Sequence, residues 1–172
     1  MIDKFKNHEN ALYNHIISLS RNKLFYTTFY LDDTFQNRIN LIFLHTSFLF
    51  IKIKQNEHKE KYKSFYQKIF DLIFLRIEQN MREIGFGDVN VNKKMKIYVK
   101  NFYNILLNCE KFNKETFNSK SSFLLNYLSI KDNKNALNNK GLVDYFDKYR
   151  SFCLDLTIDN VLKGSINFKY KY

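Results

Sequence analysis

The sequence predicts an all-α protein: a single-domain helical bundle around a long, nearly all-apolar central helix. Apolar residues recur at steps of three and four along most of the chain, which is the spacing of one buried helix face. The 172 residues fit one domain, and 45% of them are hydrophobic. The chain has no proline and four glycines, so residues that interrupt helices are scarce.

The first two predicted helices lie in the N-terminal third. Ala11, Leu12, Ile16 and Leu19 mark the first. The central helix is expected from Phe35 to Gln55, because Asp32, Asp33 or Thr34 offers an N-cap before a run that is apolar nearly all round. That run is too short for a bilayer span, and Asn40, His45 and Lys52 interrupt it, which favours the centre of a bundle.

Two further long helices are predicted on either side of a glycine hinge formed by Gly85 and Gly87. The upstream helix should run from about Glu60 to Ile84, and Gly85 should end it, since glycine adopts positive φ at little cost. Asn90 or Asn92 is expected to cap the next helix. Its narrow apolar stripe comprises Met95, Val99, Phe102, Leu106 and Cys109.

The remaining helices are shorter, and asparagine-rich linkers separate them. We expect one from Ser121 to Ile130 and a late one marked by Leu142, Tyr145, Phe146, Tyr149, Phe152 and Leu156. The predicted linkers are Gln55 to His58, Asn113 to Lys120 and Lys131 to Lys140. Residues 1–8 should be disordered or frayed, residues 9–168 should form the helical domain, and residues 169–172 should be a basic tail.

The chain is strongly basic, with a formal charge of +11, yet five of its 28 basic residues are arginine. Lys93, Lys96 and Lys100 share one helix face, and Lys93 and Lys94 crowd the helix start, where the macrodipole disfavours cations. Two interpretations stay open: a lysine-solvated surface and an anion-facing patch.

The cysteines and the N-terminus indicate a reducing compartment. Cys109 and Cys153 lie on apolar stripes and are expected to be reduced core residues. The first residues lack the apolar core of a signal peptide, so we expect a cytoplasmic protein.

No catalytic or metal-binding constellation is evident, so we predict neither an enzyme nor a cofactor or metal site. The four histidines do not pair with each other or with the cysteines at metal-ligand spacing. His45 is expected to be buried and bonded to a neighbouring polar group. Gly85-Phe86-Gly87 begins like a dinucleotide fingerprint, but a helix precedes it and a third glycine is missing.

Several blocks of the chain resemble the ubiquinol-cytochrome c chaperone family, the assembly factors of the respiratory cytochrome bc complex. The hinge block carries the family pattern at Arg82, Glu83, Gly85, Gly87, Asp88, Lys93 and Lys94. The other matching blocks are Phe25-Tyr26, Asp33-Thr34, Arg38, Leu44-His45, Phe102-Tyr103 and the segment from Asn160 to Phe168. In four places the chain departs from the pattern: Asp32, Asn37, Asn92 and Asn104-Ile105 stand where proline, glycine, proline and Gly-Arg are common.

The resemblance implies a binding role. The expected partners are newly made cytochrome b, the ribosome near its exit tunnel, a small partner assembly protein and, peripherally, the anionic cytoplasmic face of the inner membrane. The alternative is a basic helical ribosome- or RNA-binding module without a client, and a small helical enzyme is a third, disfavoured class.

The residue-level hypothesis assigns three roles. Asp33, Arg38 and His45 should orient the central helix and a contact surface, with a charge pair between Asp33 and Arg38. Arg82, Glu83 and Asp88 should fix the hinge. An electrostatic docking face is expected from Lys93, Lys94, Lys96 and Lys100.

Overall fold

Helices make up nearly all the regular structure in the computed structural model, which describes residues 7–55, 59–131 and 139–171. The α-helices are α1 (Asn7–Ser20), α2 (Leu24–Thr27), α3 (Phe35–Lys54), α4 (Lys59–Glu83), α5 (Asp88–Lys111), α6 (Phe117–Tyr127), α7 (Asn139–Asp155) and α8 (Ile158–Leu162). A 3₁₀ turn spans Phe112–Lys114, and an isolated antiparallel bridge joins Leu31 to Ile130. The all-α prediction is confirmed.

Helix α3 packs against α1, α4, α5 and α7. The side chain of Thr34 caps it by accepting a hydrogen bond from the Asn37 amide at 3.1 Å. Fourteen of its twenty residues are buried. Five of those are polar, however, so α3 is buried on nearly every side without being uniformly apolar. They are Asn37, Asn40, His45, Thr46 and Ser47.

Two of the buried polar residues join the start of α3 to the end of α6. The amide nitrogen of Asn37 donates to the carbonyls of Asp32 and Ser129, both at 2.8 Å, and its amide oxygen accepts from the Ser129 backbone at 2.9 Å. Asn40 donates to the carbonyl of Tyr127 at 2.5 Å. These bonds satisfy backbone groups beside the Leu31–Ile130 bridge, where helical bonding has ended.

The two ends of the described chain differ from the predicted boundaries. Residues 1–6 lie outside the described residues, whereas Asn7 and His8, expected to be frayed, belong to α1. Within the predicted tail, residues 169–172, Tyr170 contacts α7. Its hydroxyl donates to Asp144 at 2.7 Å and its ring lies 5.1 Å from that of Tyr145, because an aromatic residue gains by packing on α7.

The linker predicted from Asn113 to Lys120 is wrong from Phe117 onward, and both predicted ends of α6, Ser121 and Ile130, lie too late in the chain. Thr116 caps α6 by accepting from the Ser119 amide at 3.3 Å, so the helix begins at Phe117 and ends at Tyr127. A local cap thus extends the helix over residues with weak periodicity. The other two predicted linkers fall largely outside the described residues.

Candidate functional site

The glycine hinge is a tight helix ending followed at once by a new helix. Gly85 has φ of +94°, and its amide bonds to the Arg82 carbonyl at 3.0 Å while the Phe86 amide bonds to that of Met81 at 3.0 Å. This pair of bonds is the Schellman arrangement, which a residue at positive φ permits. Gly87 has ordinary negative φ and is the N-cap of α5.

The start of α5 corrects the predicted cap. Neither Asn90 nor Asn92 caps the helix, because α5 already begins at Asp88. The cap Gly87 makes no side-chain bond, but Asp88 places a carboxylate in the first turn, where the helix macrodipole favours negative charge. A glycine N-cap followed by an acidic first-turn residue therefore stands in place of the expected asparagine cap.

Arg82 connects the two helices that meet at the hinge. It donates to the Glu78 carboxylate at 2.9 Å within α4 and to the Asp88 carboxylate at the start of α5. The hydrogen bond to Asp88, and then that to Glu78, raises the pKa of Arg82. The structure thus brings Arg82 and Asp88 together, while no described ion pair includes Glu83.

Next to the hinge, a groove of about 230 Å³ lies between α1, α3 and α4. We call it the hinge groove. Its apolar lining residues are Tyr13, Ile17, Phe35, Ile39, Ile42, Ile73, Ile77 and Ile84. Ser20, Arg21, Arg38, Asn80 and Glu83 supply polar groups. Such a groove suits an apolar segment with polar neighbours.

Two predicted site residues form an ion pair at this groove. Arg38, which lines it, makes a forked contact with Asp33: Nε to Oδ1 at 2.7 Å and Nη2 to Oδ2 at 2.9 Å. This hydrogen bonding lowers the pKa of Asp33 and raises that of Arg38. The fork holds the guanidinium in one orientation at the first turn of α3.

His45 lies elsewhere, fully buried, so its side chain is not part of a contact surface with Asp33 and Arg38. Its Nδ1 lies 2.7 Å from the Leu41 carbonyl and its Nε2 lies 2.8 Å from the Tyr145 hydroxyl. Because a carbonyl only accepts, Nδ1 carries the proton and Nε2 of the neutral ring accepts from Tyr145. Burial lowers the pKa of His45 to about 4, so the residue supports packing between α3 and α7.

The four lysines of the predicted docking face all lie on α5, in two environments. Lys93, Lys96 and Lys100 are exposed, and no carboxylate of the described chain lies within ion-pairing distance of them. Lys94 is half-buried, with its ammonium 5.4 Å from the centre of the Phe86 ring. The first three therefore carry charge available to a partner, and Lys94 packs back on the hinge.

Sequence periodicity identified the helices around the hinge groove but not the groove itself. Its lining comes from three helices that are distant in sequence, and residues such as Ile17 and Ile77 read only as core positions in their own helices. A half-buried isoleucine and a fully buried one give the same periodic signal. Ile84, directly after α4, also continues the apolar periodicity and was predicted to be buried, whereas it is 58% exposed.

Within the described ranges, no group of three or more histidine, cysteine, aspartate or glutamate side chains could hold a metal ion. Both cysteines are free and buried, and burial raises the pKa of each thiol. None of the helices that the structure describes is long and apolar enough to cross a bilayer.

The structure is a helical bundle with an apolar groove and exposed lysines on α5, features that suit the binding of another macromolecule. The family model described as "Ubiquinol-cytochrome C chaperone" matches residues 27–165. The chain belongs to the ubiquinol-cytochrome c chaperone family, the assembly chaperones of the cytochrome bc complex. The family resemblance of the hinge and α3 blocks is thereby confirmed.

The fold also matches a solved structure, the crystal structure of the Cbp3 homolog from Brucella abortus. The TM-score is 0.77 at 22% sequence identity, and the match covers 94% of this chain and 88% of that chain. At this identity the likeness shows the fold alone. A comparison with curated proteins gives no match.

Proposed function

We propose that this chain binds newly made cytochrome b and promotes its assembly into the cytochrome bc complex. The observation that carries the proposal is the family match over residues 27–165, which includes α3, the hinge and the whole of α5. The chain then acts by binding rather than by catalysis. The expected place of action is the cytoplasmic face of the inner membrane.

The hinge groove is the proposed contact for the client. Its isoleucine-rich lining can take up apolar side chains of a membrane-protein segment that has not yet packed against its partners. Arg38, held by Asp33, and Glu83 supply charged groups beside that lining for the polar ends of such a segment. Ile84 at the groove is 58% exposed, so a client can bury it on binding.

The test is deletion of the gene in its native host, followed by complementation of the deletion strain with wild-type or variant chains. The b-type heme signal and quinol oxidation are measured in each strain. Wild-type chain should restore both, whereas Ile84→Glu should restore much less, because a carboxylate would have to be buried at the contact. Leu125→Glu is the matched control, since Leu125 is also exposed but lies on α6.

A photocrosslinker at position 84 adds a direct test of contact. Cytochrome b, identified by its own epitope tag, should be the crosslinked product, and a crosslinker at position 125 should give far less of it. Normal complex levels in the deletion strain would refute the assembly role, and equal complementation by both glutamate variants would refute the groove as its site.

The exposed lysines favour a second candidate, the ribosome- or RNA-binding module. Lys93, Lys96 and Lys100 have no carboxylate partner within the described ranges, and such a cluster can attract phosphates. RNA binding through these lysines would weaken steeply as salt rises, whereas capture of an apolar segment would not. The ribosome and a small partner protein would then be contacts of this face.

A further inference from the structure

One side of α5 faces away from the bundle along most of the helix. Val91, Tyr98, Phe102, Ile105 and Cys109 form the buried side. On the opposite side lie seven exposed lysines and hydrophobic residues at helical spacing, together with the exposed Asn104 and Lys111; the seven are Val89, Lys93, Lys96, Ile97, Lys100, Tyr103 and Leu107. We call these seven residues the outer face of α5, which is about 27 Å long at 1.5 Å per residue.

The outer face combines positive charge with exposed apolar side chains. The two carboxylates of α5 do not neutralise it, because Asp88 pairs with Arg82 and Glu110 pairs with Lys54 at 2.5 Å. Val89 is 83% exposed and Leu107 is 56% exposed. Four of the nine large hydrophobic residues exposed within the described ranges lie on this one face, namely Val89, Ile97, Tyr103 and Leu107.

The combination of lysines with aliphatic side chains favours anionic lipid over nucleic acid as the partner of the outer face. Nucleic acid is usually held by arginine forks and by aromatic rings that stack on bases. The outer face has no arginine and a single aromatic residue, Tyr103. Contact with phosphates or bases stabilises aliphatic side chains little. Their burial at the boundary between lipid headgroups and acyl chains is favourable, because it removes apolar surface from water. Lysine stems can lie along that boundary while their ammonium groups reach the phosphates.

We propose that the outer face of α5 binds an anionic phospholipid surface, with the helix in the plane of the interface. Lys93, Lys96 and Lys100 contact the lipid phosphates, and Val89, Ile97 and Leu107 enter between the headgroups. The proposal does not rest on the identity of the client. It orients the bundle with the outer face of α5 on the membrane.

The test uses the full chain and vesicle co-sedimentation. Vesicles of three parts phosphatidylcholine to one part phosphatidylglycerol should bind the chain, and vesicles of phosphatidylcholine alone should bind it much more weakly. The triple variant Lys93→Gln, Lys96→Gln, Lys100→Gln should lose affinity by a factor on the order of one hundred, at about tenfold or less per lysine.

A matched control separates this face from the overall charge. The triple variant Lys114→Gln, Lys163→Gln, Lys169→Gln removes the same charge from exposed positions outside α5. It should change the affinity for anionic vesicles by less than about threefold, since distant charges are screened beyond a Debye length. An equal loss in both triple variants would overturn the proposal.

A second variant separates lipid from RNA. Ile97→Ser with Leu107→Ser keeps every lysine and should weaken vesicle binding by about tenfold, because less apolar surface is buried. If wild type binds polyuridylate at all, the double variant should bind it with the same affinity. The proposal is overturned if the double variant binds vesicles like wild type, or if wild type prefers polyuridylate to anionic vesicles. All five substituted residues of the outer face are exposed, and circular dichroism verifies the fold of each variant.

Discussion

Gly164 occupies a position that no other residue fits without displacing its neighbours. Its φ is +68°, and a Cβ added there would lie 2.6 Å from the Leu12 backbone nitrogen and 2.9 Å from the His8 carbonyl oxygen. Both atoms belong to the backbone of α1, which cannot rotate aside as a side chain can. The segment after α8 therefore passes α1 at a distance that glycine alone permits.

We predict a graded series for alanine at three glycines, measured by urea unfolding. Gly164→Ala should destabilise by about 3 kcal/mol, from positive φ together with the collision. Gly85→Ala should cost about 1 kcal/mol, because its φ of +94° is strained for alanine but its surroundings are open. Gly87→Ala should change stability by less than about 0.5 kcal/mol, since its φ is ordinary and the lower entropy of the unfolded alanine variant offsets the weaker N-cap.

A different ranking would contradict the assignment of these roles. Gly85→Ala as damaging as Gly164→Ala would mean that the space around the hinge is filled, and a neutral Gly164→Ala would mean that α1 and the last segment are not in close contact.

His45 should make stability depend on pH in a defined window. Its folded-state pKa of about 4 lies below the ordinary 6.5, so between these values the unfolded chain binds a proton that the folded chain does not. Stability from this residue is complete above pH 6.5 and falls as the pH drops, by on the order of 3 kcal/mol by pH 4.

The measurement is the free energy of unfolding at intervals from pH 7 to pH 4. In His45→Gln the slope over this range should be shallower, even though the variant is less stable at pH 7. Replacing the exposed His15 with glutamine should leave the slope unchanged. An unaltered slope in His45→Gln would show that other groups cause the acid sensitivity.

The burial of His45 and its need for a hydrogen-bond partner were predictable from the sequence, but the identity of that partner was not. Its position in an apolar run predicts burial, and a buried imidazole needs partners. Its partner Tyr145 is 100 residues away on α7, and nothing in the spacing of either helix links the two. The pair between Asp33 and Arg38 was within reach of prediction because it is local.

At the scale of elements, Asn37 makes most of the polar bonds that join α3 to the end of α6. Asn37→Ala removes the bonds to Asp32 and Ser129 and leaves the Ser129 amide without its side-chain acceptor. We expect destabilisation of about 2 to 3 kcal/mol, from a lost bonding group and an unsatisfied donor. Thermal and urea unfolding measure it.

The control is Asn108→Ala, whose side chain is exposed and bonds to the Asn104 carbonyl within α5. It should change stability by less than about 0.5 kcal/mol. If Asn37→Ala were equally mild, the join between α3 and α6 would depend on apolar packing and on the Asn40 bond to Tyr127 rather than on Asn37. The family pattern commonly has glycine where this chain has Asn37. Glycine has no side chain that could make these hydrogen bonds to Asp32 and Ser129.

The long helices could be predicted from sequence and the short ones could not. Helices α3 and α4 have boundaries within one residue of expectation, because long amphipathic repeats and a glycine stop fix them. Helices α2 and α8 have four and five residues. Segments of that length contain at most one full period, so tertiary packing decides whether they are helical.

At the scale of the molecule, the all-α class followed from periodicity, but the surfaces did not. The hinge groove depends on how far apart α1, α3 and α4 pack, which no single helix encodes. The outer face of α5 was partly predictable, since its lysines share a helical spacing. The exposure of its apolar residues was not predictable, because it depends on which side of α5 packs into the core.

The close passage of Gly164 against α1 has a consequence for the order in which the protein folds during its synthesis. Leu12 and Gly164 are 152 positions apart in the sequence, so Leu12 is synthesised long before Gly164. Until then, α1 lacks the cover that the segment after α8 supplies. The packing of α1 can therefore be completed only after Gly164 has been synthesised, and α1 stays partly uncovered while the residues between them are added.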